Sequence, residues 1–414
     1  MEDFSRATSG TRGMRQALLR RFLAMTSFAP PRQLPETVLE LERGISDGLH
    51  LGAQIHVSLA GREVASFAVG SAGPSLGDAP MRTDMLLPWW SSTKPLTAIA
   101  IGQQIDAGRM RLSDPVAKFV PEFAQNGKGG VTLEHVLLHT AGFAKAGLDA
   151  PPVDRGAEAC WEDTLAKTCS ATLESPPGHE CAYHIRGGWH VLGQAVLAAS
   201  GYSGSYGSYL RENVLQPLGA VDSFVGMPAA SFARYRDEGR LAPLYFLPSA
   251  KASLPIRAEA GAVSSAAAAQ VCSPGGGGCG PAAQLVKPFE LLAGVSTAPD
   301  VLSPETAALL RAARRTGMFD TLQGATIDWS LAGPVDCVLF GRHCSREAFG
   351  HGGSQSSMVM ADPAHGLALA VICNGKCGGP QHNARMGRIA AAVYTDLGIS
   401  GTGDAARHEM PSYG

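Results

Sequence analysis

The amino-acid sequence predicts an α+β protein: a mainly antiparallel sheet flanked by helices, with an all-helical lobe. Three stretches lead to this reading. Ile55, Val57 and Leu59 alternate with polar neighbours, Gly61 supplies a turn, and residues 64–69 return as a second strand. Ser357 to Met360 and Leu367 to Ile372 read as another hairpin, across Asp362-Pro363. Between these β-rich ends, residues 110–220 show apolar residues at helical spacing. Hairpins fit an antiparallel sheet, not a βαβ array.

Residues 1–34 read as an N-terminal arm and 399–414 as a tail. The single folded unit expected between them, 35–398, has an α/β lobe (about 35–110 and 220–398) and a helical lobe (about 110–220). Helical spacing predicts a first helix from Pro35 to Leu49 and a second after Trp90, through Ile105. Thr132 can cap a helix running to His139, with Gly142 to end it. Segments 158–172, 188–200 and 204–217 complete the helical lobe. Residues 273–282, which include four successive glycines, are expected to be loop. Ser303-Pro304-Glu305 marks a helix start, and a last helix over 382–397 stops at Gly398.

The 414 residues exceed what one core ordinarily supports, which calls for two lobes or two domains. With 45% apolar and 17% charged residues the composition is that of a globular protein. A net charge of −2 gives no electrostatic reason to expect nucleic acid or an anionic membrane as partner. No apolar run approaches a membrane span, and Arg20-Arg21 interrupts the apolar stretch a signal peptide would need. The expected location is therefore cytoplasmic. The nine cysteines read as reduced thiols, with Cys272 and Cys279, flanking the glycines, as the pair that could close a disulfide. His179, Cys181, His184 and His190 lack the paired spacing of metal ligands, so neither metal nor cofactor is expected. Nothing in the sequence defines an oligomeric state.

Chemistry enters with Ser91-x-x-Lys94. Residues three apart share a helix face, and a desolvated lysine can take the proton that makes serine a nucleophile. Ser92 has Pro95 at that offset and gains no such partner. Tyr183, in Pro177-Gly178-His179-Glu180-Cys181-Ala182-Tyr183, could relay a proton beside a cation or serve as a half-buried anchor. His351 begins a late strand in Phe349-Gly350-His351-Gly352-Gly353-Ser354. Glycines there allow close approach to the backbone, which could equally be a tight bend. His139 is read as structural, a cation at a helix C-terminus.

Taken in order, Ser91-x-x-Lys94, Leu138-His139-Thr140-Ala141-Gly142, Pro177-Gly178 with Tyr183, Pro274-Gly275-Gly276-Gly277 and Phe349-Gly350-His351-Gly352-Gly353 resemble one family. It is the serine β-lactamase and penicillin-binding-protein-like superfamily, in the branch of class C β-lactamases, D-aminopeptidases, DD-peptidases and family VIII esterases. The resemblance covers roughly 35–398 and implies a β-lactamase/transpeptidase-like fold with the site between its lobes. It implies Ser91 as the acylated nucleophile, Lys94 and Tyr183 exchanging its proton, and His351 holding tyrosine and substrate. The backbone N–H groups of Ser91 and Ser354 would form the oxyanion hole, with Gly352 and Gly353 lining the substrate strand.

The departure is at the family's Tyr-x-Asn, which here reads Tyr183-His184-Ile185. Isoleucine cannot hydrogen-bond a substrate amide. The expected enzyme is thus a serine hydrolase or acyltransferase acting through an acyl-serine on a small-molecule ester or other acyl donor. The alternatives are an amide or peptide hydrolase or cyclase, or a non-catalytic binding protein on the same fold.

Overall fold

The computed structural model describes residues 34–399, apart from 76, 149–155, 249–255, 260–262, 297 and 299–300. The expected arm, but for residue 34, and the expected tail, but for residue 399, lie outside the described residues. Strands β1 (Gly52–Leu59), β2 (Arg62–Gly70), β3 (Phe349–Gly353), β4 (Ser357–Asp362) and β5 (Leu367–Cys373) form one antiparallel sheet. Their spatial order is β3-β4-β5-β1-β2. The two hairpins seen in the sequence therefore join through β1 and β5, with Ile55 opposite Val371. Every residue of β4 and β5 is buried, so both faces of the sheet are covered. That is why Leu367–Cys373 is a continuous apolar run and not an alternating one.

The principal helices are α1 (Pro35–Ser46), α2 (Lys94–Asp106), α3 (Ala157–Ser170), α4 (Gly187–Ser200) and α5 (Gly379–Asp396). Leu34 cannot cap α1, and Asp396 on α5 does so instead. Its carboxylate accepts the N–H groups of Glu36 at 3.0 Å and Thr37 at 2.8 Å. Buried α2 is tied to the helix Tyr206–Leu210. Its Thr97 hydroxyl accepts the Tyr206 hydroxyl at 2.9 Å, and its Gln104 side chain donates to the Tyr209 hydroxyl at 2.7 Å.

Two expectations are corrected. The stretch 273–282 is not all loop: Gly278–Gly280 is a strand between Leu87–Pro88 and Phe224–Val225, and the short helix Ala282–Leu285 follows. A side chain at Gly278 would collide with Thr93 and Trp89, so the glycine admits the segment that carries the nucleophile. The helix capped by Thr132 ends at Leu137, because His139 is left-handed at φ 61°. Cys272 and Cys279 are both free thiols.

Candidate active site

Trp89 anchors the start of the site. It is fully buried, its N–H donates to Gly278 at 2.8 Å, and its indole donates to Gly280 at 2.9 Å. Trp90 is then left-handed at φ 51°, an unfavourable conformation for a bulky residue. This bend turns the chain into a 3-10 turn, Trp90–Thr93, that leads directly into α2. Ser91 therefore sits on the turn and Lys94 on the first helical residue.

Lys94 Nζ is buried within reach of three oxygens. These are Ser91 Oγ at 3.0 Å, the Gly275 carbonyl at 2.6 Å and the Ile185 carbonyl at 3.4 Å. Burial, with the Arg186 charge adding to it, holds Lys94 well below the usual lysine range. Lys94 Nζ also lies 4.8 Å from the centre of the Tyr183 ring. The Tyr183 side chain is hydrogen-bonded to Ser91, and burial pushes its phenol up, opposed by that bond and reinforced by the charge of Asp320. Ser91, Lys94 and Tyr183 thus lie side by side.

Tyr183 is carried by a short extended segment fixed on both sides. The Ala182 N–H donates to the His139 carbonyl at 3.0 Å, and the His184 N–H donates to His139 Nδ1 at 2.8 Å. His139 packs its ring 4.5 Å from that of Tyr183. It is structural, as the sequence suggests, but not the helix-end cation expected there. Burial and neighbouring positive groups hold it neutral, so it acts as a wall and an acceptor.

His351 is buried on β3, where its Nδ1–H donates to the Gly352 carbonyl at 2.7 Å and its ring centre lies 6.3 Å from that of Tyr183. Burial lowers it to about 3, so it is a neutral imidazole. A side chain on Gly353 would run into the Trp89 carbonyl, which explains the glycine. Ser354 Oγ accepts from Lys376 at 3.0 Å, and Lys376 pairs with buried Glu259 at 2.6 Å. Ile185 presents its carbonyl to Lys94 while its side chain is 45% exposed.

Sequence reasoning missed four contributors. The Gly275 carbonyl was signalled, since it lies in a quoted motif. Asp320, which bonds the Tyr183 N–H from 137 residues away, had no local signal, nor did the Lys376–Glu259 pair. Cys181, His184 and His190 do not converge. Cys181 bonds Asp320, His184 packs on Phe143, and His190 packs on Trp161. Among the described residues no cluster of three or more His, Cys, Asp or Glu could hold a metal. No helix among them is long and apolar enough to cross a membrane.

An antiparallel sheet backed by helices, with serine and lysine at the head of a buried helix and a tyrosine facing them, defines the β-lactamase/transpeptidase-like class. The chain belongs to the Beta-lactamase family, whose model matches residues 40–394. It is 30% identical over 226 residues to the esterase EstB of Burkholderia gladioli, covering 50% of this chain and 55% of that protein. It is 34% identical over 116 residues to the acyltransferase calJ of Penicillium decumbens, covering 24% and 28% of the two chains. The matches span about half or less of these relatives. A solved penicillin-binding-protein homologue from Caulobacter crescentus superposes with a TM-score of 0.74 at 26% identity, covering 89% of this chain and 98% of that one.

Proposed function

We propose that the protein is a serine esterase or acyltransferase that works through an acyl-Ser91 intermediate, with residues 35–398 as one catalytic unit. The observation that carries this is the surroundings of Lys94 Nζ. Two of its three oxygen neighbours, the carbonyls of Gly275 and Ile185, can only accept hydrogen bonds. A neutral amine that gives its two N–H bonds to these carbonyls has its lone pair left for Ser91 Oγ, 3.0 Å away. Burial favours that neutral amine, so Lys94 is the base and Tyr183 keeps its proton.

Lys94 then accepts the Ser91 proton as Oγ attacks the ester carbonyl. The backbone N–H groups of Ser91 and Ser354 stabilise the oxyanion. As the tetrahedral adduct collapses, the leaving alkoxide takes the Tyr183 proton and Lys94 returns its proton to the phenolate. Water or an acceptor alcohol removes the acyl group by the reverse path. His351, neutral and beside Tyr183, orients the phenol, while Gly352 and Gly353 line the acyl group. Ile185 offers no amide to a peptide, and the relatives named as esterase and acyltransferase point the same way. A cytoplasmic location is supported by nine cysteines that are free thiols.

The test is intact mass after incubation with a fluorophosphonate and with short p-nitrophenyl esters. One adduct on Ser91 and ester turnover are expected. No adduct and no turnover would overturn the reading.

A further inference from the structure

Asp320 is fully buried on the small hairpin of Phe319–Asp320 and Ala325–Thr326. Its Oδ1 accepts the N–H groups of Leu322 and Gln323, each at 3.0 Å, as an aspartate closing its own turn would. It also makes two bonds that its turn does not require. Oδ1 accepts the Tyr183 N–H at 3.1 Å, and Oδ2 accepts the Cys181 thiol at 3.2 Å. Alongside, the Thr321 N–H donates to the Cys181 carbonyl at 2.9 Å, so the hairpin and the tyrosine segment meet in a single parallel bridge between Asp320 and Cys181. One carboxylate therefore ties the hairpin to the main chain of the residue facing Ser91.

We propose that Asp320 is a positioning residue for Tyr183: its carboxylate fixes the tyrosine's main chain opposite Ser91 and keeps a negative charge behind the phenol. This rests on the reading of Ser91, Lys94 and Tyr183 as the acylation apparatus. The groups facing Tyr183 come from several elements. Lys94 on α2 lies over its ring, His139 and His351 pack beside it as neutral imidazoles, and Arg315 reaches the other side of Cys181. Arg186 adds positive charge on the side of Lys94. Among these, Asp320 is the anion that acts on the phenol, adding to the effect of burial. A phenol kept protonated is what the leaving alkoxide needs.

Two variants separate geometry from charge. Asp320→Asn keeps an oxygen for the three N–H groups, and its amide can donate to the Cys181 sulfur where the carboxylate accepted. Its loss is the charge. With no anion beside the coupled Lys94–Tyr183 pair, the pair loses its first proton more easily, and the rising limb of the kcat/KM–pH profile is expected to move to lower pH by about 0.5–1 unit, with KM little changed. Asp320→Ala also releases the Tyr183 main chain and should lower kcat by about 10-fold or more, since small misplacements near the chemistry are costly. Thermal denaturation gives the folded fraction of each. An Asp320→Asn profile that superimposes on wild type, or a folded Asp320→Ala with wild-type kcat, overturns the inference. A wild type that is neither labelled at Ser91 nor active on esters overturns the functional reading and this inference with it. An active wild type beside an unshifted Asp320→Asn overturns this inference alone.

Discussion

The Ser92 hydroxyl donates to the His351 carbonyl at 3.2 Å, tying the nucleophile turn to β3. Its oxygen also lies 3.0 Å from that of Ser357, whose hydroxyl donates to the Trp89 carbonyl at 2.8 Å. Of two adjacent serines, Ser92 is thus a buried strut and Ser91 faces the lysine. Labelling by a fluorophosphonate should fall on Ser91 alone and vanish in Ser91→Ala. Ser92→Ala should keep the label and lose about 1–2 kcal/mol of stability, since buried partners are left unsatisfied. Peptide mapping and denaturant unfolding check both. A label on Ser92 would remove the assignment.

Activity should rise with pH on a limb set by deprotonation of Lys94, coupled to Tyr183. Burial holds Lys94 well below 10.5, so the limb should lie well below that of a free lysine. Lys94→Arg should be nearly inactive at every working pH, because a guanidinium keeps its proton. Tyr183→Phe should lose a factor of about 10² or more. His351→Ala should lose less and keep the limb, since a neutral orienting group is not the base. Profiles of kcat/KM on one ester decide this. A Tyr183→Phe at wild-type rate, with the limb abolished in His351→Ala, would make His351 the base.

The proposed bias towards esters rests on Ile185, which is 45% exposed, so replacing its side chain costs little packing. The wild type should turn over short p-nitrophenyl esters and leave most penicillins intact. Ile185→Asn should raise amide turnover relative to ester turnover. Equal turnover of a cephalosporin and an ester by the wild type, measured side by side, would contradict the first expectation. An unchanged ratio in the variant would contradict the second.

Stability should fall in mild acid. Burial lowers His50, His184 and His351 to about 3 and His190 to about 4, against 6.5 when unfolded. As pH drops below 6.5 the unfolded chain binds these protons and the folded chain does not. Stability therefore declines from about pH 6.5 towards 4, by up to about 1.4 kcal/mol per pH unit for each histidine. Melting temperature followed from pH 7.5 to 4.5 checks this. An unchanged value across that range would show the histidines are not held neutral.

What the sequence determined by itself is whatever depends on local spacing. The first hairpin is legible because a period of two marks its strands, although β1 begins at Gly52, before the alternation is apparent, and the second because two short apolar runs flank Asp362-Pro363. Ser303 caps the helix that starts at Pro304, because a capping side chain needs only its own turn. Ser91-x-x-Lys94 is likewise a local pair, and Ile185 is a departure visible residue by residue. Tertiary structure alone decided what surrounds them. Lys94 Nζ meets carbonyls 91 and 181 residues away, and the Tyr183 N–H meets a carboxylate 137 residues away. It also turned His139 from a helix-end cation into a neutral wall, because burial, which no local pattern records, sets the cost of a charge. The glycines of 278–280 became a strand for the same kind of reason. Their lack of side chains makes room for Trp89, and that need exists only once the two segments have met.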